Sequence, residues 1–152
     1  MSMRSIGYSF NNAIADIIDN SITAEADLIK IQCLWNGEEP TIEIEDNGKG
    51  MDHDELIEAM RPGTKSPLTS RSDDDLGRFG LGLKTASFSQ CKKLIVKTFQ
   101  GNLCNKATWD LDIVQKQNKW FLDLENPKEN IKNEESGTIV RWEKIDTLSK
   151  KK

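Results

Sequence analysis

Residues 73–87 read DDDLGRFGLGLKTAS, and how this run is read decides the fold. Gly77 and Gly82 have the spacing of a Walker A loop, G-x-x-x-x-G-K-[ST], but Leu83 stands between Gly82 and Lys84-Thr85. A Walker loop follows a buried strand and opens a helix. The lead-in here, SRSDDDL (70–76), is too polar for a central strand. The Rossmann fingerprint fails as well, because the order is G-x-x-G-x-G and again no strand leads in. The run nevertheless opens a helix, and the free N–H groups and positive dipole end of a helix suit a polyphosphate. Alone, the motif is better explained as a glycine-rich lead into an ordinary helix.

Upstream, residues 61–76, RPGTKSPLTSRSDDDL, hold two prolines and an acidic triplet without periodicity, which predicts a long mobile loop, either functional or disordered. Further back, IEDNGKGM (44–51) sets Asp46 at the end of a strand with Gly48 and Gly50 after it. A carboxylate held there can accept from an exocyclic base amine, and the glycines leave room for a flat ring. A polar β-turn is the plainer alternative. On the first predicted helix (9–24), Ala13, Ile14, Ile17, Ile18 and Ile22 form an apolar stripe with Ser9 as N-cap. Asp16 and Asn20 share a face beside it, one turn apart. A carboxylate and an amide oxygen so placed can activate a water and ligate Mg²⁺, although a solvated helix face is the default reading.

The remaining elements follow from pattern. Strands are expected at 28–35 and 41–46 around an Asn36-Gly37 turn, its loop lengthened by Glu38, Glu39 and Pro40. A short helix is expected at 52–60 and another over 81–91, then strands at 92–99, 105–114, 119–125 and 137–143. Early helices followed by a meander of strands predict an α+β two-layer sandwich, a mixed, mostly antiparallel sheet with helices on one face. The chain of 152 residues is long enough for one domain with a real core.

With 21 Lys plus Arg against 25 Asp plus Glu, the net charge is −4, which argues against a domain built to coat nucleic acid. Lys150, Lys151 and Lys152 read as a solvated tail or the start of a linker. The three cysteines, Cys33, Cys91 and Cys104, are scattered and odd in number, so neither a zinc site nor a disulfide framework follows. Cys33 and Cys104 lie in apolar strand runs and are expected to be small buried thiols of a reducing compartment. The absence of a signal, anchor or spanning pattern leads to the expectation of a cytoplasmic protein without membrane contact. His53 is expected to be exposed, and Trp109, Trp120 and Trp142 to pack in the core.

Together, ADIIDNSITAEA (15–26), IEDNGKGM (44–51), GRFGLGLKTAS (77–87) and Gly137-Thr138 opening GTIVRWE resemble, in order and register, the boxes of the GHKL superfamily of ATPases. This Bergerat-fold group includes DNA gyrase B subunits, MutL proteins, Microrchidia ATPases, large heat-shock chaperones and sensor histidine kinases. The wording is closest to the MutL, Microrchidia and chaperone branch, and the boxes span nearly the whole chain.

The resemblance implies ATP and Mg²⁺ as ligands, with Asn20 holding the metal and Asp46 the adenine amine, helped by Thr138. Ala24, Gly48, Gly50 and Met51 would complete the base side of the site. Gly77, Phe79, Gly80, Leu81 and Gly82 would face the phosphates, with Lys84 just inside the helix either near them or packing its stem. Residues 61–76 would be the ATP lid.

Asp16 stands where hydrolytic members carry Glu, and Asp is shorter by one carbon–carbon bond, roughly 1.5 Å. Slow hydrolysis is the expectation, with reach through a second water or binding without turnover as alternatives. Asp19 lies on another part of the helix surface and is no substitute. The resemblance further implies a module of a longer protein, an ATP-dependent homodimer, and DNA contact only through other domains. Two other functions stay open. One is a sensor-kinase catalytic domain, favoured by the GLGL wording and disfavoured by Asp16. The other is an interaction module that does not hydrolyse nucleotide.

Overall fold

The computed structural model describes residues 9–37, 39–60, 81–118, 122–127 and 135–145. In chain order the elements are α1 (Phe10–Thr23), β1 (Ile29–Asn36), β2 (Glu39–Asp46), α2 (His53–Met60) and α3 (Leu81–Phe88). They continue as β3 (Lys93–Gln100), β4 (Leu103–Asp110), α4 (Leu111–Gln117), β5 (Asp123–Glu125) and β6 (Ser136–Glu143). The six strands form one sheet in the order β1-β2-β6-β3-β4-β5, and every described pairing is antiparallel. This is the α+β arrangement that the sequence predicts.

Strand alternation sorts the two faces of the sheet. Ile42 and Ile44 of β2, Val140 and Trp142 of β6, Leu94 and Val96 of β3, and Ala107 and Trp109 of β4 enter one core with the helices. From above, α1 contributes Ala13 and Ile17, α2 Leu56 and Met60, and α3 Leu83 and Ala86. On the opposite face, Arg141 pairs with Glu43 at 2.8 Å and with Glu143 at 2.8 Å, and Lys93 reaches Glu143 at 3.4 Å. A one-residue slip in β2, β3 or β6 would bring these charges into the core, so the pattern specifies the register.

Local chemistry sets the helix ends. Ser9 caps α1 by accepting from the Asn12 N–H at 3.0 Å, which satisfies one of the free donors of the first turn. The indole of Trp142 donates to Ser87 Oγ at 2.8 Å and meets Phe10 edge to face, with ring centroids 6.2 Å apart. One aromatic side chain thus ties β6 to α3 and to the start of α1.

Several expectations are corrected. The hairpin is tighter than predicted: Asn36 pairs with Glu39 and Trp35 with Pro40, so Glu39 and Pro40 belong to β2 rather than to the loop. Pro40 is tolerated because the pairing of β2 with β6 begins only at Ile42. The strand predicted over 105–114 ends at Asp110, and α4 follows. The W-D-L-D-I alternation imitates a strand, but Asp110 caps the helix by accepting from Asp112 N at 3.0 Å. Leu111 and Val114, at helical spacing, pack against the core. Of the strand predicted over 119–125, only Asp123–Glu125 pairs with β4, and residues 119–121 with Trp120 lie outside the described residues. The helix predicted over 81–91 closes at Phe88.

Cys33 is exposed rather than buried, because β1 is an edge strand, whereas Cys104 and Cys91 are buried. His53 is exposed and Trp109 and Trp142 are in the core, as expected. No helix among the described residues is long and apolar enough to cross a membrane.

Candidate functional site

Where α1 crosses the sheet, a cleft of about 390 Å³, counting the space open to solvent, lies between helix and strands. Ile17, Asn20, Ser21 and Ala24 of the α1 side form one wall; Asp46, Gly50, Met51, Thr138 and Val140 form the floor; Leu83 of α3 closes one end. Six residues singled out from the sequence, Asn20, Ala24, Asp46, Gly50, Met51 and Thr138, therefore meet around one space although they span 118 positions from Asn20 to Thr138.

Polar groups of the floor are held from below. Asp46 accepts from the Ser21 hydroxyl at 2.7 Å through Oδ2 and from the Gly48 N–H at 2.9 Å through Oδ1. A carboxylate has about four acceptor positions, so two remain for a ligand. The loop after it is clamped: Lys49 N donates to Ala24 O at 2.9 Å, and Ser136 Oγ donates to Gly48 O at 2.6 Å. Asn47 accepts from Asp27 N and Leu28 N at 2.9 and 3.0 Å and donates to the Asp27 carboxylate at 2.7 Å.

Two glycines are required by this packing. At Gly50 φ is +72°, and a Cβ would lie 2.1 Å from the Phe99 carbonyl oxygen. At Gly48 a Cβ would lie 2.7 Å from Ala24 O. Both distances are inside van der Waals contact with backbone, which cannot move aside without shifting the sheet or the end of α1.

Opposite the floor, the amide oxygen of Asn20 is buried without a hydrogen-bond partner among the described residues. Leaving a buried acceptor unmade costs about 1–3 kcal/mol. Such an oxygen, beside an acidic floor, suits a hard cation. No group of three or more His, Cys, Asp or Glu among the described residues is placed to hold a metal. A cation here would therefore take Asn20 Oδ1 together with oxygens of its ligand and water, the usual manner of Mg²⁺. Asp16 is half-buried one turn before Asn20. Burial, and then the charge of Asp19, push its carboxyl above the ordinary value of 3.8.

The remaining predicted residues divide. Leu81 and Gly82 open α3, and Lys84 is buried in that helix without lining the cleft. Gly77, Phe79, Gly80 and the segment 61–76 lie outside the described residues. Sequence reasoning missed Ser21, Ile17, Leu83 and Val140 in the lining, and Thr98 and Ser136 beneath it. Ser21 had a usable signal: it falls four residues after Ile17 and eight after Ala13 on the buried stripe, where a hydroxyl needs a partner.

A family model described as "Histidine kinase-, DNA gyrase B-, and HSP90-like ATPase" matches residues 8–138. The chaperone protein HtpG of Helicobacter pylori (strain ATCC 700392 / 26695) is 32% identical over 139 residues, which cover 80% of this chain and 21% of the chaperone. The DNA mismatch repair protein MutL of Thermosipho melanesiensis is 30% identical over 97 residues, covering 62% of this chain and 17% of MutL. The ATPase morc-1 of Caenorhabditis elegans is 31% identical over 87 residues, covering 57% and 10% respectively. The chain spans about a fifth or less of the length of these relatives.

Proposed function

This chain belongs to the histidine kinase-, DNA gyrase B- and HSP90-like ATPase family, and on that premise we propose that its cleft binds Mg·ATP and hydrolyses it slowly. The observation that carries the reading is the pairing, in one cleft, of the lining carboxylate of Asp46 with a buried amide oxygen of Asn20 that has no partner among the described residues. Nothing in an apolar core calls for either. An adenine amine and a magnesium ion satisfy both.

In this reading Asp46 accepts from the exocyclic amine of adenine, with Gly50 and Met51 leaving room for the ring. Ser21 and Gly48 keep the carboxylate aimed by occupying the lone pairs that face the protein. Asn20 holds Mg²⁺, which when bound neutralises charge on the phosphate oxygens. The backbone N–H groups of Leu81 and Gly82, at the open end of α3, point the positive end of that helix at the phosphates. Gly77, Phe79 and Gly80 extend the same cradle by the family resemblance, with residues 61–76 as the lid.

Asp16 takes the proton of the attacking water. Its raised pKa makes it a stronger base, which offsets part of what the shorter side chain loses in reach. Slow turnover, rather than none, follows from the balance of the two. Pairing of two copies when the lid closes on ATP, inside a longer protein, completes the proposal and rests on the family resemblance alone.

Equilibrium titration of the chain with Mg·ATP, paired with phosphate release, tests the reading. Saturable binding that weakens when Mg²⁺ is chelated is expected, with phosphate release abolished in Asp16→Asn while binding persists. No binding at millimolar nucleotide would overturn it.

A further inference from the structure

Thr98 lies on β3, is fully buried, and does not itself line the cleft. That hydroxyl has three polar neighbours. Met51 N donates to it at 2.8 Å, the Gly137 carbonyl oxygen lies at 3.2 Å, and Thr138 Oγ1 lies at 3.0 Å. A hydroxyl carries one proton and two lone pairs. Full use of that valence is reached in one way: Thr98 accepts from Met51 N and from the Thr138 hydroxyl, and donates to Gly137 O. In the opposite sense Gly137 O loses this donor, and the proton of Thr138 finds no other polar atom among the described residues.

We infer that Thr98 is a positioning residue that holds the proton of Thr138 away from the cleft, so that Thr138 presents lone pairs only. The inference rests on the ATP reading of the site. Its consequence is a rule of base choice. Asp46 and Thr138 face each other across β2 and β6 as paired residues, and both then offer acceptors to the cleft. That corner attracts a base edge carrying N–H, such as the adenine amine, and repels a carbonyl oxygen. Thr98 never meets the ligand and acts by orienting a group that does. Met51, whose N–H it accepts, is fixed by the same atom.

The test compares ATP with purine riboside triphosphate, which has hydrogen in place of the amine and keeps N1 as an acceptor, by equilibrium titration of the whole chain with Mg²⁺ present. The wild-type chain is expected to prefer ATP. Thr98→Val frees the Thr138 proton to point into the cleft, so the preference should shrink about five- to tenfold, the worth of one hydrogen bond from the amine. Thr98→Ser restores the hydroxyl and should restore the preference, which a residue needed only for packing would not predict. Thr138→Val keeps Thr98 intact, removes the oriented group, and should shrink the preference by a similar factor.

An unchanged preference in a folded Thr98→Val, a Thr98→Ser that fails to restore it, or an unchanged preference in Thr138→Val would overturn the inference while leaving ATP binding standing. Failure of the wild-type chain to bind ATP would instead overturn the reading of the site on which the inference rests.

Discussion

The Ser21 hydroxyl donates to Asp46 Oδ2 at 2.7 Å, joining the buried stripe of α1 to the last residue of β2. One wall of the cleft and its floor are thus held together by a bond that also aims the carboxylate. A neutral donor on a charged acceptor is stronger than a neutral pair, about 1.5–3 kcal/mol net where it is buried.

Ser21→Ala should therefore lower both stability and ATP affinity. A loss of about 1–2 kcal/mol in denaturant unfolding and about a tenfold rise in the ATP dissociation constant are expected. A variant that unfolds earlier but binds ATP with wild-type affinity would show that the bond only holds the helix to the sheet.

Asn20 separates stability from binding. Its amide oxygen has no partner among the described residues, so Asn20→Ala forfeits no hydrogen bond through that atom on folding. The melting temperature of the nucleotide-free chain should stay the same or rise, while the dependence of ATP affinity on Mg²⁺ disappears. Retention of that dependence would remove Asn20 from the metal site.

Asp16 carries a pH signature. Its folded-state pKa lies above 3.8 because burial, and then Asp19, disfavour the charged form. Phosphate release should accordingly fall on acidification at a pH above the ordinary carboxylate value, as the base becomes protonated. The same shift works against stability: the protonated form is favoured in the folded chain, so this group's contribution falls as pH rises from 3.8 through the raised value. Asp16→Glu, which regains about 1.5 Å of reach, should raise turnover about tenfold or more. Slower release in that variant would place the base elsewhere.

Far from the cleft, Lys144 binds the Asp110 carboxylate at 3.1 and 2.9 Å and Asp112 at 2.9 Å, pinning the end of β6 to the cap of α4. The hydrogen bonds to Asp112 and then Asp110 raise the Lys144 pKa above 10.5, and the bond from Lys144 lowers that of Asp112 below 3.8. The contribution of Asp112 is present above 3.8 and lost as pH falls through its depressed value. That of Lys144 is full below 10.5 and lost as pH rises through its raised one. Because Lys144 is 37% exposed, solvent screens the cluster, and Lys144→Met should cost about 1 kcal/mol or less at neutral pH. Unfolding midpoints across salt concentration check this: the difference should shrink as salt rises.

What the residues alone determined is the chemistry carried by short contiguous runs. The stripe of α1, the acid at the end of a strand and the glycines after it are local patterns, because helix and strand periods act over a few residues. They single out Asn20, Asp46 and Gly50, which line one cleft. The start of α4 was lost because W-D-L-D-I satisfies both periods, and only the docking of Leu111 and Val114 on the core chose between them. The exposure of Cys33 follows from β1 having a neighbour on one side only. The partners beneath the cleft depended wholly on tertiary structure. Thr98 meets Thr138 because β3 pairs with β6 in that register, and Ser21 meets Asp46 because α1 lies across the end of β2. A hydroxyl has no pattern of its own along a chain; its role is set by whichever donor and acceptor folding brings within 3 Å of it.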